Sequence, residues 1–175
     1  MDRTQSDDTE AGSASEEDTL AAYEAFAQSS YYLDVWRPQL KGADAERTFN
    51  WAAMIFGMTW CFYRKMYGVG LLMLPAAFLA ALGAALIAML VIPGFDPRQR
   101  SGIIAVTIVA MAAIRIPLAM LANQLYYRKA TKQIEQLAAP GLRNGPWLEH
   151  LRTRGGTSIV GVVLAVAINL LVGSL

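Results

Sequence analysis

Residues 68–92, GVGLLMLPAAFLAALGAALIAMLVI, run for 25 residues without a charge. A helix needs about 20 apolar residues to cross a ~30 Å hydrocarbon core at 1.5 Å per residue, so this run is long enough to span. It constrains everything around it. Residues 102–127 (GIIAVTIVAMAAIRIPLAMLANQLYY) also have spanning length, with Arg115 inside and a tyrosine pair at the end, where an interfacial aromatic belt is expected. The polar stretch PGFDPRQRS between them predicts an antiparallel hairpin. Residues 158–175 (SIVGVVLAVAINLLVGSL) make a third, slightly short span. The chain is 55% hydrophobic and only 17% charged, and the apolar residues come in blocks. The reading is an all-α membrane protein with about three transmembrane helices, an interfacial or re-entrant aromatic helix and short cytoplasmic amphipathic helices.

The net charge of +1 hides a division: residues 1–48 hold eleven acidic and four basic side chains, and residues 49–175 hold three acidic and eleven basic ones. Residues 1–18 are acidic, rich in Ser and Thr and free of an apolar core, which predicts a disordered tail and no signal peptide. Residues 19–47 read as an amphipathic cytoplasmic helical segment. Thr19 serves as N-cap, Leu20, Tyr23, Phe26 and Ala27 share one face, and Tyr31, Tyr32 and Trp36 form an aromatic patch. Residues 48–175 form the membrane domain. Within it, the connector 128–156 first continues the second span into water as far as Pro140 and Gly141. It then starts a short helix at Pro146, with Trp147, Leu148 and Leu151 on its apolar side.

Phe49–Tyr63 (FNWAAMIFGMTWCFY) is aromatic and apolar, but fifteen helical residues cover only about 22 Å. Loop charge supplies an independent test. If the stretch does not span, Arg64, Lys65, Arg128, Lys129, Lys132, Arg143, Arg152 and Arg154 fall on one side, and only Arg98 and Arg100 on the other. That distribution obeys the positive-inside rule. Residues 48–66 therefore read as an interfacial or re-entrant helix on the cytoplasmic face of an inner membrane, with the N-terminus cytoplasmic and the C-terminus periplasmic. Phe49, Ala53, Phe56, Trp60, Tyr63 and Tyr67 recur at three- and four-residue steps along one seam.

The block FNWAAMIFGMTWCFYRKMY resembles the signature of the bacterial inner-membrane family called domain of unknown function 2628. ANQLYYRKATKQI (Ala122–Ile134), RGGTS (Arg154–Ser158) and the Tyr and Trp spacing from Tyr23 to Trp36 are similar to its other blocks. The resemblance covers roughly residues 20–160. It implies a small helical membrane protein of bacteria and no particular activity; Arg115 and the acidic tail are not part of the pattern.

Arg115 is the most demanding residue. A central Arg costs about 2.5–3.5 kcal/mol on insertion scales, and the spans contain no Asp or Glu to neutralise it. Its counter-group must be water, Asn123 or Asn169, a carbonyl freed by Pro117, a lipid phosphate or another protein. The readings are an anion or assembly contact, or plain packing. Arg64, Lys65, Arg128, Lys129, Lys132, Arg152 and Arg154 are candidates for lipid headgroups, against a role as ordinary positive-inside anchors. Trp51, Phe56, Trp60 and Tyr63 are candidates for partner contact or packing. Gly155–Ser158 (GGTS) opens the third span and could offer backbone N–H groups to an anion, or simply form a glycine turn with an N-cap. Ala76, Ala80, Ala84 and Ala88 make a small-residue packing stripe.

Cys61 is the only cysteine and His150 the only histidine, and neither has a second ligand at useful spacing. No catalytic set, metal site or cofactor is expected, and nucleic acid is not a partner. Partners are membrane lipids, including anionic ones, with a second copy or another membrane protein as alternatives. The leading functional reading is a non-enzymatic accessory or scaffolding protein at the cytoplasmic membrane surface. The alternative is a small oligomeric transport or anionic-lipid-handling protein that uses Arg115.

Overall fold

A computed structural model describes residues 17–44, 48–137 and 145–173. The expectations for residues 1–16, for Arg143 and for the stop at Pro140 and Gly141 lie outside the described residues. Among the described residues every regular element is a helix. These are α1 (17–27), then α2 (Ser30–Leu40), α3 (Trp51–Phe56), α4 (Met58–Tyr63), α5 (Tyr67–Val91), α6 (Arg100–Leu137), α7 (Gly145–Arg154) and α8 (Ile159–Gly173). They fall into two compact units. The first takes the described residues of Met1–Arg47 and Asn123–Thr157, the second those of Thr48–Ala122 and Ser158–Leu175.

Aromatic side chains build the first unit. Trp36, Tyr126, Phe26 and Leu151 are fully buried. Tyr32 meets Tyr126 edge-on at 4.8 Å, and Tyr23 stacks on Tyr127 at 5.5 Å. Buried Tyr and Trp also need partners for their polar ends. Trp36 Nε1 donates to the Asn123 carbonyl at 3.2 Å, and the Tyr23 hydroxyl shares a hydrogen bond with Thr131 Oγ1 at 2.9 Å. Burial pushes the Tyr23 phenol up to about 12.

The ends of α1 and α7 meet. Gln28, at φ +49°, donates from Nε2 to the Arg152 carbonyl at 2.7 Å, and the Gly156 N–H donates to the Phe26 carbonyl at 2.7 Å. Carbonyls that a helix terminus leaves open are thereby satisfied. Gly155 lies against the same Phe26 carbonyl, where a Cβ would overlap it. One expectation changes here. The first helix already includes Glu17 and Asp18, so Thr19 is not its N-cap and those two acids belong to the helix rather than to the tail.

The second unit contains the apolar helices. Three helical stretches are long and apolar enough to cross a membrane: Tyr67–Val91, Arg100–Leu137 and Pro146–Val172. The third is interrupted at residues 155–158, where the backbone is not helical, and its apolar part is the 15-residue α8. Phe78, Leu90, Val91, Ile159 and Leu170 are each at least 70% exposed. Contiguous apolar surface on this scale is foreign to a water-soluble monomer and suits a lipid solvent. Inside the unit Met58 and Phe62 of α4 pack on Ala165 of α8, with Met73, Leu74 and Ile168 around them. Two glycines permit this approach. A Cβ at Gly70 would enter the Phe62 ring, and one at Gly161 would overlap the Phe62 carbonyl.

The single aromatic helix expected over 48–66 is instead two six-residue helices, α3 and α4. Gly57 separates them at φ +51°, ψ −119°, a conformation that side chains with a Cβ rarely adopt. The predicted seam does not survive the break. Ala53 and Trp60 are buried, but Phe49, Phe56, Tyr63 and Tyr67 are exposed, while Met58 and Phe62 from the opposite face turn inward.

Candidate functional site

The break at Gly57 creates the site. Asn50 starts α3: its Oδ1 accepts the Ala53 N–H at 2.9 Å, and its own N–H donates to the Ala119 carbonyl of α6 at 2.9 Å. Asn50 is buried, so α3 is tied to α6 about one turn beyond Arg115. At the other end, interrupting the helix leaves its last carbonyls without the donors a continuous helix would supply. Arg115 provides one of them, donating from Nη1 to the Ile55 carbonyl at 2.8 Å. A Cβ on Gly57 would stand 3.3 Å from Arg115 Nε and 3.5 Å from Met73 Cε. The missing side chain therefore both permits the break and spares Nε a close Cβ contact.

Arg115 lines a cleft of about 580 Å³, within the range of small-molecule pockets. Ile55, Phe56, Met58 and Thr59 close one end with Arg115. The walls are apolar, from Met73 to Ala81 on α5 and from Ala110 to Ile114 on α6; Thr107 and Asn169 add neutral polar groups. Thr107 Oγ1 donates to the Ile103 carbonyl at 2.8 Å, and Asn169 Nδ2 donates to the Ala165 carbonyl at 2.8 Å. Both donors are thus committed within their own helices. Among the described residues no carboxylate pairs with Arg115. The site offers one cation at the end of an apolar trough.

Of the counter-groups considered for Arg115, a carbonyl is the one found, but it belongs to Ile55 rather than to the turn that Pro117 interrupts. Asn123 falls in the first unit, where its Nδ2 donates to the Tyr31 hydroxyl at 3.1 Å. Asn169 lines the cleft.

The basic candidates divide between the units. Arg64, at the end of α4, lies over the Tyr63 ring at 5.4 Å, and Lys65 follows at φ +56°. In the other unit Lys129 lies over the Phe26 ring at 5.8 Å. Arg154 donates to Gln133 at 3.2 Å, and Arg152 pairs with Glu149 at 3.6 Å; Arg128 and Lys132 are exposed. Trp51 and Phe56 are 69% and 58% exposed, Tyr63 is partly exposed, and Trp60 is buried.

The GGTS donors are already used within the protein. Gly156 N–H serves Phe26, Ser158 N–H donates to the Tyr63 carbonyl at 2.8 Å, and Ser158 Oγ accepts the Gly161 N–H at 3.0 Å. The N-cap reading accounts for them. Sequence reasoning missed the Ile55 carbonyl, Gly57, Thr59 and Thr107. A main-chain acceptor and neutral polar residues leave no pattern to find, whereas a glycine inside an aromatic run was a signal available to notice.

A family model described as "Protein of unknown function (DUF2628)" matches residues 18–132. The chain belongs to this family. The DUF2628 region takes in Gly57, Arg115 and Asn123, and it stops before α7, α8 and the RGGTS block, which had looked similar as well. No curated protein and no solved structure matches the chain.

Proposed function

We propose that this is a non-enzymatic lipid-handling protein of the bacterial inner membrane, which holds the acidic head of an amphiphile at Arg115. Its N-terminus and the first unit are cytoplasmic, α5 and α6 form a transmembrane hairpin, and α8 ends on the periplasmic side. One observation carries the reading: a guanidinium without a carboxylate partner among the described residues closes one end of an apolar cleft. An ionisable group within a span is costly and points to function, and an anion would return part of that cost.

The accessory or scaffolding reading has less support, because the aromatic segment that suggested it is largely consumed in the first unit's core, where Trp36 is fully buried and Tyr32 nearly so. Its remaining support is the exposure of Trp51 and Phe56. A photocrosslinker at Trp51 that captured only lipid would remove that support.

The test is native mass spectrometry of the full chain after mild-detergent purification, comparing wild type with Arg115→Gln. Hydrogen bonds to charged groups contribute about 1.5–3 kcal/mol, and 1.4 kcal/mol is tenfold in affinity. Retained acidic amphiphile is expected to fall about tenfold or more in the variant. Equal retention would overturn the proposal.

A further inference from the structure

Building on the proposed lipid-handling role, we infer that the amphiphile is single-chained, with a small two-oxygen acid head such as a fatty carboxylate rather than the phosphodiester of a leaflet phospholipid. Depth is the first argument. The head end of the cleft lies at Met73, whose Cε flanks Gly57 and hence Arg115. Met73 is six residues into α5, about 9 Å below the level of Tyr67 and the neighbouring Arg64 and Lys65. A phospholipid whose phosphate rests among those headgroup-level cations leaves Arg115 out of reach. A lone acid head on one chain can move that far inward, because no second chain holds it at the leaflet surface.

The donor geometry is the second argument. Nη1 is occupied by the Ile55 carbonyl, and Gly57 places no Cβ against Nε, where one would stand at 3.3 Å. The Nε edge, Nε–H beside one Nη2–H, matches the two oxygens of a carboxylate or a terminal phosphate. The third is the shape of the trough. Met73 and Ala81 on α5, and Arg115 and Thr107 on α6, lie eight positions apart, so the walls run about 12 Å beyond the head. Ala77, Ala81 and Ala110 leave room for a tail between the larger apolar side chains Leu74, Met111 and Ile114.

The experiment uses the purified full chain in a non-ionic detergent and reads bound ligand by native mass spectrometry. Palmitate is the principal probe, and hexadecanol, dioleoylphosphatidylglycerol, a lysophosphatidate and inorganic phosphate are the competitors. One palmitate per chain is expected. Lysophosphatidate should displace it, since it has the same kind of head on one chain. The other three should displace it at least tenfold less well.

Arg115→Lys should weaken palmitate and spare folding, which guards against a variant that fails to fold. Ala81→Phe, at the far end of the trough, should shift the preference from palmitate to octanoate while leaving Arg115 in place. Displacement by phosphatidylglycerol as readily as by lysophosphatidate would overturn the single-chain inference and leave the lipid-handling proposal standing. Hexadecanol competing as well as palmitate, or inorganic phosphate displacing it, would overturn the placing of head and tail. Absence of Arg115-dependent binding for every acidic amphiphile would overturn both.

Discussion

Arg115 Nη1 and the Ile55 carbonyl oxygen, 60 positions apart in sequence, are joined at 2.8 Å. The bond answers two deficits together: a helix interrupted at Gly57 has a carbonyl to satisfy, and Arg115 has no carboxylate paired with it among the described residues. Each half makes the other tolerable. The bond also anchors the guanidinium through Nη1 in the lining of the cleft.

Gly57 should be intolerant of even the smallest side chain. Its φ of +51° and the 3.3 Å separation from Arg115 Nε act together on any Cβ placed there. Backbone held in a sparsely populated region costs on the order of 1–3 kcal/mol. Gly57→Ala is expected to lower the thermal midpoint of the detergent-solubilised protein and to reduce palmitate binding as well. Gly83, inside α5 with nothing near its Cβ position, is the control: Gly83→Ala should leave palmitate binding unchanged and the midpoint no lower, since Ala suits a helix better than Gly. A Gly57→Ala protein as stable as wild type would mean that the break is not required.

The first unit should weaken in strong alkali. Burial holds the Tyr23 phenol up to about 12 in the folded protein, against about 10 for an exposed tyrosine. A raised folded pKa means that the neutral form is favoured by folding. That contribution is complete below about pH 10 and is lost as pH rises through about 12. Tyrosinate absorbance near 295 nm should show one late-titrating tyrosine that Tyr23→Phe removes. A titration of wild type and variant differing only near pH 10 would count against it.

Cysteine labelling tests the hairpin. Cys61 is fully buried and free, so native protein should resist maleimide and react after denaturation. With Cys61→Ala as background, single cysteines at Lys65 and Gln99 should label from opposite sides of sealed vesicles, since α5 alone is 25 residues long. Labelling of both from one side would refute the arrangement.

Much of the architecture was legible. The uncharged run from Gly68 to Ile92 corresponds to α5 within one residue at each end. The continuation of the second span beyond Tyr127 is realised in one helix reaching Leu137, and the short helix at Pro146 buries Trp147 and Leu151 as its pattern required. These features depend on local composition, which acts through solvent and through the helix period.

The aromatic run was misread as one helix because a lone glycine costs a helix only about 1 kcal/mol, too little to predict a break from sequence. In the fold, Gly161 admits the Phe62 carbonyl and Gly70 admits its ring, while Asn50 fastens α3 to Ala119. Those contacts come from residues far along the chain, and together they hold the break in place.

The sequence alone determined that the chain would carry helices long and apolar enough to cross a membrane, and where they would run, since length and hydrophobicity are properties of contiguous residues. It also showed that Arg115 would require a partner. Only the tertiary structure decided which partner: a main-chain carbonyl looks the same at every position in a sequence, and it becomes an available acceptor only when packing opens a helix end and brings a donor to it.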